Sequence, residues 1–345
     1  MTTYIGTAVP RVDGKAKVTG AAKYAGEFNV PGLAHGVVVT STVAKGKITA
    51  IDTSAALAVE GVLSVLTHEN RPSMAESDSA YKDDVAPDGS PFRPLYNANV
   101  LFSGQPIALV LAETWEAARF AASLVRPDYQ EKAHATDLFK QRGDAFTLSG
   151  KAFAMSLANP RGDAPRAFAA ADVRHEADYF VPVEHHNPME LYASTVIWEG
   201  DGKLTVYDKT QGVQHVQRYL CGVFGAKPED IRVLSPFVGG AFGSGLRPQY
   251  ESVLAVLGAK ALKRSVRLVL TRQQMYTLGY RPGTIEHLAF AAKPDGVLEA
   301  TMHEAIAMTS RYEAFARNDT TWASALYKCP NAKFEHKLAR LDVPT

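Results

Sequence analysis

Cysteine is scarce in this chain, which has only Cys221 and Cys329 among its 345 residues. An iron–sulfur cluster held by four cysteines is therefore excluded within the chain. Cys221 lies in a helix-like segment, where packing in the core is the simplest interpretation, and the spacing of the two cysteines indicates no metal motif. The sequence leaves open whether they form a disulfide.

An excess of charge and long apolar runs are also absent. Lys and Arg number 37 against 36 Asp and Glu, a formal net charge of +1, so no overall field favours nucleic acid or an anionic membrane. No apolar run reaches the roughly 18 residues of a membrane span. The N-terminus lacks the basic start and apolar run of a secretory signal, so we expect cytoplasmic localisation, with export alongside a partner left open.

Glycine, by contrast, is concentrated in one place, the segment Pro236-Phe-Val-Gly-Gly-Ala-Phe-Gly-Ser-Gly245. It lies between a strand-like run at 231–235 and a helix-like run at 250–262. A glycine turn leading into a helix suits an oxyanion or another closely approaching ligand, and a packing turn is the alternative. The segment is followed by Leu246-Arg-Pro248. A P-loop needs lysine and then serine or threonine at this point, so a P-loop is excluded. A dinucleotide fingerprint needs its third glycine at position 248, so that motif is excluded as well.

Alternating strand-like and helix-like segments predict an α+β fold for the first region. A polar, proline-rich stretch at 67–99 interrupts them and predicts an exposed insertion. Residues 130–165 are mixed and rich in Gly and Pro, which favours a domain boundary there. We predict strands at 37–42, 62–66 and 105–111, and helices at 53–60 and between Thr114 and Pro127.

The second region begins near residue 177 and continues the mixed pattern. Gly200-Asp-Gly202 between two β-rich runs predicts a hairpin over 195–207. Gly225 ends a predicted helix that starts near Val213, just after Gln211. A long hairpin over 285–308 and a strand at 334–343 complete the pattern.

The segment Glu184-His-His-Asn-Pro-Met-Glu190 combines two histidines and two carboxylates. Adjacent histidines point in different directions and lack the i, i+4 spacing of a helical zinc pair. We therefore favour hydrogen bonding, in a structural role or near a cofactor, over metal ligation. No Gly-x-Ser-x-Gly elbow or activated cysteine indicates covalent catalysis.

Several ordered blocks together resemble the molybdenum-binding subunit of the xanthine dehydrogenase and aldehyde oxidase family. None is specific alone, but they run from residue 11 to the glycine loop, and the hairpins beyond fit as well. The blocks are Arg11-Val-Asp-Gly-Lys-Ala-Lys-Val-Thr-Gly20 with Ala22-Lys-Tyr24, Gly104-Gln-Pro-Ile107, Glu184 to Glu190, Gln211, and Phe237-Val-Gly-Gly-Ala-Phe-Gly243.

The resemblance implies an a/b hammerhead domain at 11–130, a linker at 131–165 and a first molybdopterin-binding domain at 166–345, incomplete relative to the family. It implies a molybdenum atom on molybdopterin, extended as a cytosine dinucleotide in many bacterial members. Gln211 matches the glutamine that hydrogen-bonds near the molybdenum oxo group, and no residue of this chain is expected to ligate the metal directly. The other implied cofactor-binding residues are Gly239, Gly240, Ala241, Phe242 and Gly243.

Two departures from the family qualify what the resemblance implies about the substrate pocket. Ala241 replaces the usual third glycine, and Leu246 stands where purine-hydroxylating members have a substrate-binding glutamate. An aldehyde or an aromatic N-heterocycle therefore fits better than xanthine. Phe242 and Leu246 are the implied pocket residues, with core packing as the alternative for Phe242.

The third departure is length, since the chain resembles roughly the N-terminal half of the family subunit. The family's general-base glutamate has no matching position, so no catalytic residue is assigned and the chain alone is expected to be inactive. The implied partners are the C-terminal half, an iron–sulfur subunit, an FAD subunit and a small-molecule substrate oxidised with water as the oxygen source. The alternative is a truncated, non-catalytic interaction module that retains the fold.

Overall fold

The computed structural model describes residues 5–83, 86–147, 159–316 and 319–345. Part of the predicted linker, residues 148–158, lies outside this range, as do the first four residues of the segment tested for a secretory signal. The helices are α1 (Gly14–Val18), α2 (Ser54–Leu57), α3 (Trp115–Ala122), α4 (Leu138–Gln141), α5 (Ala164–Ala170), α6 (Val213–Phe224), α7 (Tyr250–Leu262) and α8 (Thr320–Leu326).

Within the described residues the strands form two large sheets and three small ones. They are β1 (Ala34–Thr40), β2 (Gly46–Asp52), β3 (Val62–Leu66), β4 (Asp88–Gly89), β5 (Asn99–Val100), β6 (Pro106–Ala112), β7 (Arg126–Glu131), β8 (Phe146–Thr147), β9 (Val173–Val181), β10 (Glu184–His185), β11 (Ala193–Gly200), β12 (Lys203–Asp208), β13 (Ile231–Leu234), β14 (Val266–Val269), β15 (Tyr280–Arg281), β16 (Thr284–Ala292), β17 (Leu298–Ser310), β18 (Glu313–Ala314) and β19 (Asn331–Leu341).

The larger sheet has seven strands in the order β13-β12-β11-β14-β1-β6-β3. β1 pairs in parallel with β14, from Ala34 opposite Val266 to Gly36 opposite Leu268. One sheet thus joins strands from the two predicted domains. Its buried face carries the main hydrophobic core, to which α6 and α7 contribute.

Helix α7 lies in this core. Residues Tyr250 to Ala259 are all buried, which is typical of a helix that is apolar on every side. Its first turn is closed to solvent, since Tyr250 is 7% and Glu251 is 1% exposed. The N-terminus of this helix is therefore not open to a phosphate. The interpretation that an oxyanion binds at this helix terminus is wrong.

The second large sheet has five strands in the order β8-β19-β17-β16-β9. The predicted long hairpin is its centre, with Thr284 of β16 opposite Ala307 of β17. β17 also pairs in parallel with β19 along its length, and α5 and α8 pack against the sheet. No helix of the described residues is long and apolar enough to cross a membrane.

Most predicted elements are confirmed, but the exposed insertion at 67–99 is wrong. Met74, Tyr81 and Leu95 from this segment are buried in the main core. The segment is tied down by backbone and side chain, because the amide of Ala75 donates to Val223 O and the guanidinium of Arg71 donates to Leu95 O. Its regular structure is limited to short elements such as β4, but this does not prevent burial, and its polar composition concealed the buried residues.

Candidate functional site

The glycine loop connects β13 to α7, as predicted. Gly240 and Gly243 have φ values of +89° and +96°, in the left-handed region that glycine enters without steric cost. Phe242 between them has φ +56°, which is uncommon for an aromatic residue. Such backbone strain is characteristic of functional loops that the surrounding structure holds in place.

Gln211 holds the C-terminal end of this loop, although 32 residues separate it from Gly243. Its Oε1 accepts hydrogen bonds from the amides of Gly243 and Gly245 at 3.1 and 3.3 Å. Its own backbone amide donates to Gly245 O at 2.9 Å. Because two N–H groups fix Oε1, the Nε2 amino group of this exposed side chain remains as a donor for another molecule.

Glu190 holds the other end of the loop through a reciprocal pair of hydrogen bonds. Gly239 N donates to Glu190 Oε2 at 2.7 Å, and Glu190 N donates to Gly239 O at 3.1 Å. Glycine is required here because a Cβ at position 239 would lie 2.6 Å from the Cβ of Glu190. The hydrogen-bonding interpretation of the Glu184–Glu190 segment is thus confirmed for its last residue.

The two histidines of that segment point to different partners, as expected for neighbours in an extended chain. The ring of His185 packs against Tyr276, with 4.7 Å between centroids. Nδ1 of His186 lies 3.1 Å from Gly279 O. Burial is the first cause that lowers the pKa of His185, which favours the neutral imidazole.

The loop exposes its apolar side chains. Phe242 is 73% and Leu246 is 53% exposed, so Phe242 is not a core residue. Ala241 is 4% exposed, and its methyl group faces Gly245 below the surface. The alanine that replaces the usual third glycine therefore adds no side chain to the open face of the loop.

The residues on this face fit an organic group with oxygen acceptors. The amides of Gly240 and Phe242 make no hydrogen bond within the part of the chain that the structure describes. A groove of about 450 Å³ adjoins Gly239 and is lined by Tyr24, Glu27 and Met189, among others. Backbone donors, the Gln211 amino group and an adjoining groove are the features that a large planar ligand needs.

Beneath the loop lies a group of buried ionisable side chains that the sequence analysis missed. Asp208, Lys209 and Glu251 are 2%, 1% and 1% exposed, and Asp208 accepts a hydrogen bond from Ser194. Burial raises the pKa of Asp208 to about 7. The polar residues at the end of the β-branched strand β12 were the available signal, since charges that continue a buried strand are uncommon.

Replacing Asp208 with asparagine tests this environment. A raised pKa means that the folded protein binds a proton more tightly than the unfolded chain. The free energy of unfolding of the wild-type protein therefore falls as pH rises from about 4 to about 7. We expect Asp208→Asn to stabilise the protein relative to wild type by at least about 1 kcal/mol more at pH 8 than at pH 5. Urea unfolding at the two pH values measures this difference.

The exposed Asp128→Asn is the matched control and should show no such pH dependence. An Asp208→Asn advantage that is equal at pH 5 and pH 8, or larger at pH 5, contradicts the prediction.

Comparison with known protein families and structures identifies the domains in which these residues lie. A family model described as the molybdopterin cofactor-binding domain matches residues 149–345. A second, the aldehyde oxidase and xanthine dehydrogenase a/b hammerhead domain, matches residues 19–133. Together the two matches include the glycine loop, Gln211, Glu190 and the adjoining groove.

Individual relatives show how much of a larger protein the chain represents. The aldehyde oxidoreductase molybdenum-binding subunit PaoC of Escherichia coli (strain K12) is 34% identical over 311 residues, 87% of this chain and 39% of that protein. The solved aldehyde oxidoreductase from Desulfovibrio gigas superimposes with a TM-score of 0.77 at 25% identity, over 97% of this chain and 38% of the other.

A third relative is much closer in length. The nicotinate dehydrogenase large molybdopterin subunit of Eubacterium barkeri is 25% identical, and the match covers 97% of this chain and 78% of that subunit. The chain thus spans about two fifths of the length of PaoC but most of the length of this subunit.

Proposed function

The chain belongs to the aldehyde oxidase and xanthine dehydrogenase family of molybdenum hydroxylases. We propose that it supplies the hammerhead and first molybdopterin-binding portion of such an enzyme. The remainder of such a subunit, including its acid–base residue, corresponds to the part of PaoC that this chain does not match. The Eubacterium barkeri large molybdopterin subunit is a relative of similar length, of which this chain covers 78%. Iron–sulfur and FAD subunits complete the proposed assembly.

One observation carries the proposal, the hydrogen bonding of Gln211. Two loop amides occupy its Oε1, so its Nε2 stays available as a donor. In the proposed site this amino group and the amides of Gly240 and Phe242 hold molybdopterin, with molybdenum bound by the pterin and not by this chain. When bound, molybdopterin with its molybdenum would supply the chemistry that oxidises the substrate, with water as the oxygen source.

The proposed substrate is an aldehyde or an aromatic N-heterocycle. Leu246 is exposed beside the loop, and its apolar side chain cannot donate to or accept from a purine. Phe242 offers an exposed aromatic face to a planar or small apolar molecule. The cytosine dinucleotide form of the cofactor belongs to the same proposal.

The test is co-expression with a matching C-terminal half and the iron–sulfur and FAD subunits under confirmed cofactor supply. We expect Gln211→Ala together with Phe242→Ala to lower molybdenum content and turnover roughly tenfold, since it removes hydrogen bonds worth about 1 kcal/mol each and an aromatic contact. Metal analysis per chain and oxidation of an aromatic aldehyde give the two values.

Gln130→Ala together with Phe120→Ala changes the same residue types at exposed positions on β7 and α3 and should alter neither value. An active complex in which the Gln211 and Phe242 changes alter neither molybdenum content nor turnover would contradict the site assignment. A wild-type complex that never acquires molybdenum would favour the non-catalytic interaction module.

A further inference from the structure

Behind the glycine loop, one buried cation faces three buried or half-buried carboxyl groups. The cation is Lys209, and the carboxyl groups belong to Glu190, Asp208 and Glu251, all of which act electrostatically on it. Such groups are costly to remove from water unless they are paired or hydrogen-bonded. Their position beneath a candidate cofactor loop therefore calls for a functional explanation.

Ordinary hydrogen bonding does not account for the lysine. Nζ of Lys209, Oε1 of Glu190 and Oε2 of Glu251 are inaccessible to solvent and have no hydrogen-bond partner within the described residues. The ammonium lies instead over the ring of Tyr192, 3.6 Å from its centroid. This is a cation–π contact in a desolvated setting, where such contacts are strongest.

Lys209 lies next to two side chains, Glu190 and Tyr192, that attach the loop to the rest of the structure. On one side, Glu190 accepts the amide hydrogen of Gly239 at 2.7 Å. On the other, the Tyr192 hydroxyl donates to Ser244 Oγ at 2.7 Å, and that hydroxyl donates to Ala241 O at 2.7 Å. The lysine thus contacts Tyr192 and acts electrostatically on Glu190, two side chains that fix the loop together with Gln211.

We propose that Lys209 is a positioning residue whose buried ammonium compensates the Glu190 carboxylate and whose side chain packs over Tyr192, and so sets the geometry of residues 239–245 for the cofactor. The role towards the cofactor rests on the proposed function, whereas the effect on the loop does not. Lys209 acts through Glu190 and Tyr192 and is not a catalytic residue.

The electrostatics around Glu190 agree with this role. Burial raises the pKa of Glu190, and the backbone amides of Gly239 and Ala25, followed by the ammonium of Lys209, oppose that effect. Burial lowers the pKa of Lys209 to about 8, so the lysine is still mostly charged at neutral pH. Glu27 near Glu190 and Arg272 near Lys209 are the other charged groups that act on this pair.

Hydrogen–deuterium exchange of the 345-residue chain tests the positioning role without any cofactor. Lys209→Met keeps the length and the contact with Tyr192 but removes the charge. We expect exchange in peptides covering 237–246 to accelerate at least tenfold at pH 7, with exchange in 331–341 of β19 unchanged. Leu338→Ala, a fully buried change in β19, is the control for general destabilisation and should not act selectively on the loop.

A second variant separates charge from packing. In Lys209→Met with Glu190→Gln, the neutral amide can still accept from Gly239 and needs no cation, so loop exchange should return to within about threefold of wild type. Unchanged loop exchange in Lys209→Met overturns the proposal. Acceleration that is equal in all peptides, or that Glu190→Gln does not reverse, also overturns it by indicating a purely structural role.

Molybdenum content of the co-expressed complex then links the loop to the cofactor. We expect Lys209→Met to lower it at least threefold and the double variant to restore it. Wild-type content in the single variant overturns the link to the cofactor. A wild-type complex without molybdenum, combined with selective loosening of the loop in Lys209→Met, instead refutes the proposed function and leaves the positioning of the loop intact.

Discussion

Replacing Arg247 with methionine should lower the free energy of unfolding by about 3–5 kcal/mol, because it leaves two buried carboxylates without their shared cation. Arg247 Nε lies 2.6 Å from Asp83 Oδ2, and Nη2 lies 3.0 Å from Glu313 Oε1. The two acidic side chains are only 6% and 4% exposed. Burial already raises the pKa of Glu313, with Arg247 as the first opposing influence, and loss of the arginine removes that compensation.

Urea unfolding followed by circular dichroism measures the effect, and Arg281→Met is the matched control. Arg281 pairs with Glu184 at 3.0 Å, but the two side chains are 38% and 55% exposed, so its loss should change stability by no more than about 1 kcal/mol. Adding Glu313→Gln to Arg247→Met removes one of the two carboxylates that lost Arg247 and should recover part of the loss. Equal destabilisation by Arg247→Met and Arg281→Met would show that burial does not govern these pairs.

The position of Arg247 connects its ion pairs to the end of the glycine loop. It directly follows Leu246, and its two partners come from the segment before β4 and from β18. These three regions border a cavity of about 100 Å³ that is rich in aromatic side chains, including Phe92, Phe102 and Tyr312. The ion pairs therefore fix the end of the glycine loop against two distant parts of the chain.

Local elements could be predicted from the sequence because their causes are local. Helix α7 has the predicted bounds, and Gly200, Asp201 and Gly202 all take positive φ in the predicted hairpin turn. The pairing of β1 with β14 could not be predicted, because it joins residues more than two hundred positions apart. Burial of the 67–99 segment depends on contacts with α6 that its own composition does not indicate.

The candidate site divides in the same way. The glycine loop is evident from its composition. Gln211 follows from the resemblance to a family, and in the structure its side chain accepts a hydrogen bond from the loop, while its role towards a cofactor stays a prediction. The sequence draws attention to Glu190 only through the neighbouring histidines, and it predicts no role for Lys209. Their roles depend on which side chains the fold buries together, and the sequence indicates the burial of Lys209 only through its position at the end of β12.

A single methyl group at position 239 should disable the proposed site, and Gly239→Ala is the sharpest test of the loop geometry. The added Cβ would lie 2.6 Å from the Cβ of Glu190, so the backbone must move and the reciprocal hydrogen bonds of 2.7 and 3.1 Å must lengthen or break. A displacement of roughly 1 Å at a positioned site costs about a hundredfold in rate. We therefore expect turnover of the co-expressed complex to fall about a hundredfold, with a loss of molybdenum.

The control is Gly143→Ala, where no atom lies within 4 Å of the added Cβ and φ is not positive. This change should leave molybdenum content and turnover unaltered. Glu190→Ala should not rescue Gly239→Ala, because the clash is with the Cβ that alanine retains, and this separates a steric cause from the loss of the carboxylate. Normal molybdenum content and turnover in Gly239→Ala would mean that the loop tolerates displacement at this end, and that cofactor binding depends instead on the Gln211 end.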